Sequence, residues 1–259
     1  ESSLIFNREL HFEVEFAATL GSAPVMADMS VSIWWQGQPT ATMTHPQSML
    51  LSDALLNSAV SQYDNYWPVA HISTPARQKD IEYQQQAVLK DLRLLATYWQ
   101  QHDEAELAHA ALQLNQQLQQ LHLTGRFELP VDPDISLMPS GANPVLQGDY
   151  QLYLAPRRSQ IYLAGLIGRP GEAPVLPAAG LREYWKKLDR LYGSDDTGAY
   201  LISPSGKSEW IPVAIWNERH VEAMPGATLF VGFAPSVLPE QYTDLNTRML
   251  TLLANRMPK

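Results

Sequence analysis

The sequence predicts an α+β fold in which two small β modules follow one another along the chain. The first observation is a weak internal repeat. A turn glycine, an alternating strand that ends near Pro-Val, a second turn glycine and a closing apolar strand occupy residues 125–156 and recur at residues 206–235. Such self-similarity is typical of a duplicated unit. The second observation is the predicted order of two strands, one helix and three strands in the second copy, which indicates a mixed sheet packed on a helix.

The composition supports a folded core and excludes several functions. Of the 259 residues 45% are apolar, and the net charge is −9 without any run of Lys and Arg, so we expect a globular protein that does not bind nucleic acid. The absence of cysteine excludes disulfides, thiolate metal sites and a cysteine nucleophile. The seven histidines lack metal-ligand spacing, and no stretch approaches the roughly 20 apolar residues that span a bilayer. We expect no metal and no cofactor.

Residues 1–27 carry two conflicting patterns. Residues 16–27 are apolar and small and end in Val25-Met26-Ala27, like the tail of a secretory signal peptide. Residues 10–16 alternate with period two, which is typical of a half-buried strand, and they contain charges that do not suit a leader core. We favour an N-terminal extension or leader remnant over a native strand and assign this segment no function.

The first module begins with a predicted β-hairpin. Residues 29–35 alternate as a strand, and a turn leads to a second strand at residues 40–44. Apolar residues at helical spacing then predict a helix over residues 48–63. Two later segments, residues 127–131 and 150–154, return to strand character and complete the module.

A helical hairpin is predicted at residues 74–122, inserted in the first module. Thr74 supplies a capping hydroxyl, and Pro75 occupies the first helical position, where its missing N–H is not needed. Asp103 and Glu106 have the spacing of an acidic capping box for the second helix. Apolar residues of that helix alternate in steps of four and three, as in a heptad seam, so the two helices should pack against each other.

The second module and the C-terminal tail also contain predicted strands and helices. Residues 239–257 form an amphipathic pattern with Tyr242, Leu245, Met249 and Leu252 on one face. The predicted elements of the second module are strands at residues 160–167, 174–177, 199–203, 209–216 and 228–233 and a helix at residues 181–192.

Several strings in the chain are similar to one protein family. They are Leu123-Thr124-Gly125-Arg126, Gly148-Asp149-Tyr150-Gln151-Leu152-Tyr153, residues 215–222 and the tail segment 237–246. Together they resemble the GfcC/YjbG family of capsule and exopolysaccharide operon proteins, from residue 29 to the end. The strand, turn and helix that start at residue 161 also resemble the SLBB β-grasp repeats of outer-membrane polysaccharide export proteins.

The resemblance implies two tandem β-grasp (SLBB-like) domains at residues 28–156 and 157–236, followed by a C-terminal amphipathic helix at residues 237–259. It also implies a periplasmic protein encoded with capsule or exopolysaccharide secretion genes. The family has no established reaction.

Arg126 is a candidate binding residue because it follows a turn glycine where the helical hairpin rejoins the sheet. A partly buried guanidinium there would hold an acidic sugar or a partner carboxylate with two hydrogen bonds. The alternative, which we favour, is an internal ion pair with Asp132 or Asp149.

Other candidates have an ordinary structural explanation beside the functional one. Asn217, Arg219 and His220 belong to the densest polar cluster, where a hydrogen-bonded loop is favoured over a binding edge, and no nucleophile motif accompanies them. Trp34 and Trp67 would serve as sugar-stacking platforms, although core packing is favoured for both.

The face of the C-terminal helix formed by Tyr242, Leu245, Met249 and Leu252 docks either on the second module, which we favour, or on a partner. These considerations predict a non-enzymatic periplasmic accessory of capsule or exopolysaccharide secretion that binds the export machinery or the polysaccharide. A carbohydrate-active enzyme, a lyase or hydrolase, is the alternative.

Overall fold

The computed structural model describes residues 28–213 and 220–259, which form an α+β fold. The prediction for residues 1–27 lies outside the described residues. The strands are β1 Met29–Trp35, β2 Gln38–His45, β3 Met49–Leu50, β4 His71–Ser73, β5 Val145–Leu146, β6 Asp149–Leu154, β7 Gln160–Gly165, β8 Gly171–Pro174, β9 Gly198–Ile202, β10 Ser208–Pro212 and β11 Thr228–Val231. The helices are α1 Leu51–Leu56, α2 Ser58–Ser61, α3 Pro75–Gln101, α4 Ala105–Gln119, α5 Pro133–Ser136, α6 Leu181–Trp185 and α7 Leu245–Ala254, with 3-10 turns at Trp67–Val69 and Glu240–Tyr242.

The two large sheets share one strand order. The first runs β2-β1-β6-β4, with β6 parallel to β1. The second, read from the other edge, runs β8-β7-β11-β9-β10, with β11 parallel to β7. The remaining neighbours in both sheets are antiparallel. Since β6 and β11 are the closing strands of the two sequence repeats, this order is what duplication of one unit produces.

The predicted strand at residues 127–131 is wrong. The segment lies beside β4, where the Phe127 N–H donates to the Ile72 carbonyl at 3.0 Å, so it occupies the position that β10 has beside β9. No strand ladder develops, and Pro130 contributes no backbone donor to one. The first sheet therefore has four strands where the second has five.

The predicted helix at residues 48–63 is also wrong in extent. Its start is the strand β3, which pairs with β5, and the remainder divides into α1 and α2. The break is at Asn57, whose backbone is extended and whose side chain accepts from the Ala59 N–H at 3.0 Å. Asparagine competes in this way with helical hydrogen bonding, so it begins a new helix instead of continuing the old one.

The predicted helix at residues 181–192 ends early, at Trp185. Further along, the chain turns back to pair with the segment that follows β7. Gly168 donates to the Asp189 carbonyl at 2.7 Å, and Leu191 donates to the Leu166 carbonyl at 3.0 Å. These non-local bonds replace the helical ones that local spacing predicted.

The helical hairpin is present, and the predicted Thr74 cap is confirmed by its hydrogen bond from Arg77 N. The predicted capping box of the second helix is wrong, since α4 begins after Glu104 with no side-chain cap. Two buried amides join the helices: Gln85 Nε2 donates to the Leu118 carbonyl at 2.7 Å, and Asn115 Nδ2 donates to the Leu89 carbonyl at 2.6 Å. Such buried amide bonds hold the helices in one register.

The largest hydrophobic core joins the hairpin to the second sheet and α7. Leu92 and Leu95 of α3 belong to it, as do Phe230 of β11 and Met249 of α7. The other face of the second sheet packs on α6, with Leu229 of β11 among its core residues. The second sheet therefore packs on its own helix, as predicted, and the hairpin inserted in the first module covers its other face.

Every residue of β11 is buried because both faces of its sheet are covered. Within residues 28–213 and 220–259, no helix combines the length and apolar character needed to cross a membrane.

Candidate functional site

Arg126 lies where several distant parts of the chain meet. It follows α4 in the sequence, and its backbone N–H donates to Asn255 Oδ1, at the C-terminal end of α7, at 2.6 Å. Its guanidinium Nη1 donates at 2.7 Å to the carbonyl of Pro204, in the turn between β9 and β10. Its Nη2 lies 3.1 Å from His71 Nδ1, on β4. One residue, through its backbone N–H and its guanidinium, therefore links the first sheet, the second sheet and the C-terminal helix.

Gly125 allows the chain next to Arg126 to pass close to helix α3. Its φ of +62° lies in the left-handed region, and a Cβ atom there would stand 2.4 Å from the backbone carbonyl carbon of Arg77. The chain thus passes directly against the first turn of α3, where Arg77 Nη1 donates to the carbonyl of Arg126 at 3.0 Å. The turn glycine noted in the sequence is required by this close approach.

His71 is buried beneath Arg126 and is fully engaged. Its ring stacks on Tyr153 with a centroid distance of 5.1 Å. Its Nε2 lies 2.7 Å from Thr124 Oγ1, and that hydroxyl donates to the Asn255 carbonyl at 3.2 Å. Nδ1 lies 3.1 Å from both Arg126 Nη2 and the Val69 carbonyl. Since arginine can only donate, Nδ1 accepts from Arg126 in the tautomer that carries its proton on Nε2. Burial first, and then the Arg126 charge, hold the pKa of His71 well below its usual value, against the smaller opposite effect of the Val69 carbonyl.

This depressed pKa predicts a pH dependence of stability. Above pH 6.5 the imidazole is neutral in both states, and below it the unfolded chain takes up a proton that folded His71 resists. We expect the free energy of unfolding to fall as the pH drops from about 6.5 to 5, by up to ~1.4 kcal/mol per pH unit from this residue. Urea unfolding of the wild type, His71→Gln and the exposed control His109→Gln at pH 7 and 5 measures the effect. An equal loss of stability in all three proteins would contradict it.

The site is rich in positive charge, with Glu172 as the one acidic residue in the described lining of the smaller cavity. Burial, and secondly the Arg256 charge, lower the pKa of Arg126 to about 10, and burial lowers the pKa of Arg256. Among the described residues, no carboxylate lies within 4 Å of either guanidinium. The predicted ion pair of Arg126 is absent: Asp132 accepts from the Asp134 N–H at 2.9 Å, and Asp149 accepts from Ser30 Oγ at 2.6 Å.

Arg126 lines two cavities. The smaller has a volume of about 70 Å³. The larger, of about 880 Å³, reaches Trp67, His71 and the β9–β10 turn, and its lining includes Glu128, Asp132 and Lys207. The polar and aromatic side chains that line the smaller cavity are Tyr66, Arg126, Arg158, Gln160, Tyr162, Glu172, Ser203, Thr228, Arg256 and Lys259.

Comparison with known proteins places this arrangement in a family. The family model of the N-terminal domain of the capsule biosynthesis protein GfcC matches residues 27–157, and that of its C-terminal domain matches residues 169–258. The chain belongs to the GfcC family of capsule biosynthesis proteins. It is also 35% identical over 250 residues to the uncharacterized protein YjbG of Escherichia coli strain K12, a match that covers 95% of this chain and 98% of the relative. The predicted membership of the GfcC/YjbG family is confirmed.

The structure brings together only some of the predicted site residues of this GfcC-family chain. Trp67 lines the larger cavity with Arg126. Trp34 is on β1, half-buried, and contacts Tyr153 with a ring-centroid distance of 5.7 Å, and it lines neither cavity. Trp67 also packs against the hydrophobic core of the first module, so the favoured packing role and a place at the cavity both apply to it.

The predicted polar cluster at residues 217–220 is described only in part. Asn217 and Arg219 lie outside the described residues. His220 is exposed, and its Nε2 lies 3.3 Å from Glu222 Oε1. It lines neither cavity, so its binding role stays a prediction.

The predicted partner face of the C-terminal helix is occupied within the chain. Leu245, Met249 and Leu252 are completely buried, and Tyr242, in the 3-10 turn before α7, packs half-buried against the same core. Arg248 Nη1 holds α7 to α3 through Asp91 Oδ2 at 2.7 Å. A partner would reach this face only if the helix left its place.

Sequence reasoning missed His71, Arg158 and Arg256 as members of the site. Arg256 lies just beyond the end of α7, and Arg158 follows β6 in a loop. The available signal was their charge, since the chain has 18 Lys and Arg against 27 Asp and Glu. Among the described residues, no cluster of His, Asp and Glu has the composition to hold a metal ion.

Proposed function

We propose that this protein is a non-enzymatic periplasmic accessory in capsule or exopolysaccharide assembly, which binds the polysaccharide or a protein of the export machinery in the crevice around Arg126. The observation that carries the proposal is the position of Arg126. It joins both sheets and α7, lines two cavities, and has no carboxylate partner among the described residues. A positive, partly enclosed crevice beside aromatic side chains suits an anionic, sugar-containing polymer or an acidic protein segment.

The proposal includes two tandem β-grasp domains of the SLBB type. When the strands of the second sheet are numbered along the chain, their order in the sheet is 2-1-5-3-4. The first sheet has the order 2-1-5-3 in the same numbering, in which the fourth strand is missing and the separate pair β3-β5 is not counted. The first and last strands are parallel neighbours at the centre of each sheet, with a helix between the second and third strands. This order supports the likeness to export-protein modules that the sequence indicated.

The bonding of the polar groups supports binding over catalysis. Both ring nitrogens of His71 have partners within the protein, and a general base needs one free to reach substrate. The Asp132 carboxylate caps α5. Each of these groups therefore has a hydrogen-bonding role within the fold.

A photocrosslinking experiment in intact cells tests the proposal. A photoreactive phenylalanine analogue at Trp67 places the probe in the larger cavity, and the same analogue at Tyr98, on the exposed side of α3, is the control. We expect position 67 to label the polysaccharide or a protein of the export machinery and position 98 to label neither. Equal labelling from the two positions, or none from position 67, would refute the assignment. Release of the protein by osmotic shock tests the periplasmic location, and retention inside the cells would refute that part.

One observation favours the enzyme alternative, which is a lyase or hydrolase. The larger cavity is lined by two carboxylates, Glu128 and Asp132, beside Lys207. If it were catalytic, purified protein would shorten the polymer, and the Glu128→Gln and Asp132→Asn variants would not. Unchanged polymer length after prolonged incubation would exclude this alternative.

A further inference from the structure

We propose that the small cavity between Arg126 and Arg256 binds the anionic substituent, carboxylate or phosphate, of a sugar residue in the exported polymer. The inference rests on the proposed function and names the ligand chemistry at the same site. Three features of the cavity carry it: its charge, its unpaired donors, and its size beside an aromatic side chain.

The charge of the cavity is opposite to that of the chain. Arg126, Arg158, Arg256 and Lys259 line it, and Glu172 is the one acidic residue in the described lining. These are four of the 18 Lys and Arg in a chain with 27 Asp and Glu. Bringing like charges together is unfavourable unless something neutralises them. The Arg256 charge disfavours the charged form of Arg126, and the one nearby carboxylate, Glu172, acts on Arg256. An anion in the cavity removes this repulsion.

The two buried guanidiniums have donors without acceptors. Within the described structure, the Nε atoms of Arg126 and Arg256 are shielded from solvent and have no hydrogen-bond partner. Arg256 lies over the ring of Tyr162, with its central carbon 4.4 Å from the ring centroid, a contact that leaves the edge of the guanidinium free. Shielded donors without partners are unfavourable, and a carboxylate or phosphate accepts from a guanidinium edge through two parallel bonds.

The size of the cavity selects a substituent and not a whole sugar ring. A volume of about 70 Å³ holds several water molecules or one compact anionic group. Tyr66 also lines the cavity and is half-buried, so its ring offers an apolar surface next to the charges. A sugar whose charged group enters the cavity would place its ring against Tyr66.

Calorimetric titration of the full chain tests the inference with four probes: glucuronate, glucose 6-phosphate, methyl glucoside and inorganic phosphate. We expect at least one of the two charged sugars to bind at least tenfold more tightly than the neutral glucoside and than inorganic phosphate. Arg256→Gln should weaken that binding at least tenfold. Arg256→Lys should weaken it less, because lysine keeps the positive charge but cannot donate the two parallel hydrogen bonds of a guanidinium. Arg93→Gln, an exposed arginine on α3, is the matched control and should change nothing.

Several outcomes would overturn the inference. Equal binding of glucuronate, glucose 6-phosphate and methyl glucoside would remove the role of charge, and inorganic phosphate binding as tightly as both charged sugars would remove the role of the sugar. Unchanged affinity in both Arg256 variants, with thermal unfolding confirming that they fold, would place the ligand elsewhere.

The failure of this inference is distinguishable from that of the proposed function. If crosslinking at position 67 captures the export machinery while no charged sugar binds, the inference fails and the accessory role stands. If the charged sugar binds and cells with Arg256→Gln assemble normal surface polysaccharide, the anion site stands and its part in assembly fails.

Discussion

Replacing Arg126 with glutamine should lower the free energy of unfolding by about 1–3 kcal/mol, the usual effect of leaving buried hydrogen-bonding groups unpaired. The substitution removes the donor to the Pro204 carbonyl and the donor to His71 Nδ1. Relief of the repulsion with Arg256 opposes the loss, so the effect stays within that range. Because Arg126 joins the two sheets, we also expect a strong reduction of surface polysaccharide in cells that carry the variant.

The measurements are urea unfolding of the purified protein and quantification of surface polysaccharide. Arg126→Lys keeps a positive charge, but its single ammonium group cannot donate to both the Pro204 carbonyl and His71 Nδ1 as a guanidinium does. It should therefore recover part of the function and little of the stability. Arg93→Gln removes an exposed arginine and should change stability by less than about 0.5 kcal/mol. A loss no larger in Arg126→Gln than in Arg93→Gln would show that the junction does not depend on this side chain.

Met249→Ala should destabilise the protein by about 2–5 kcal/mol, the range for truncating a fully buried large side chain. Met249 belongs to the core shared by α7, the hairpin and the second sheet, so the cavity would affect all three. Amide hydrogen exchange should therefore speed up in α3 as well as in α7. This outcome distinguishes a helix that is part of the core from one that rests loosely on the surface.

Thr247→Ala is the matched control on the exposed face of the same helix, and its effect should stay within about 0.5 kcal/mol. If Met249→Ala were equally mild, α7 would spend much of its time undocked. Its apolar face, with Leu245 and Leu252, would then be open to a partner. The same pair of variants thus tests both interpretations of the tail that the sequence left open.

Elements with local signals were predicted well. The hairpin helix α3 starts at the predicted cap, because a threonine before a proline specifies a helix start through its nearest neighbours alone. The strands β1, β6 and β7 lie close to their predicted positions, since alternation along a few residues is enough to reveal them. The GfcC-family resemblance likewise came from short strings read in order.

Elements whose ends depend on distant residues were predicted poorly. The helix that begins at Leu181 stops early because the chain beyond it pairs with residues 166–168. The segment at 127–131 lies beside β4 but forms no ladder there. In both cases a backbone partner from another part of the chain decided the outcome, and local spacing contains no information about that partner.

The sequence alone determined the class of fold and the presence of a helical hairpin, and it singled out Arg126 as a candidate binding residue. Only the tertiary structure decided what Arg126 contacts. Its partner Asn255 is 129 residues away in the chain. Arg256, the other buried arginine of the smaller cavity, directly follows Asn255. The packing of the hairpin and α7 on the second sheet brings these residues to Arg126, and such packing depends on the combined burial of many side chains. No local pattern records it, so the ion pair expected for Arg126 was replaced by a positive cavity without a carboxylate partner in the described structure.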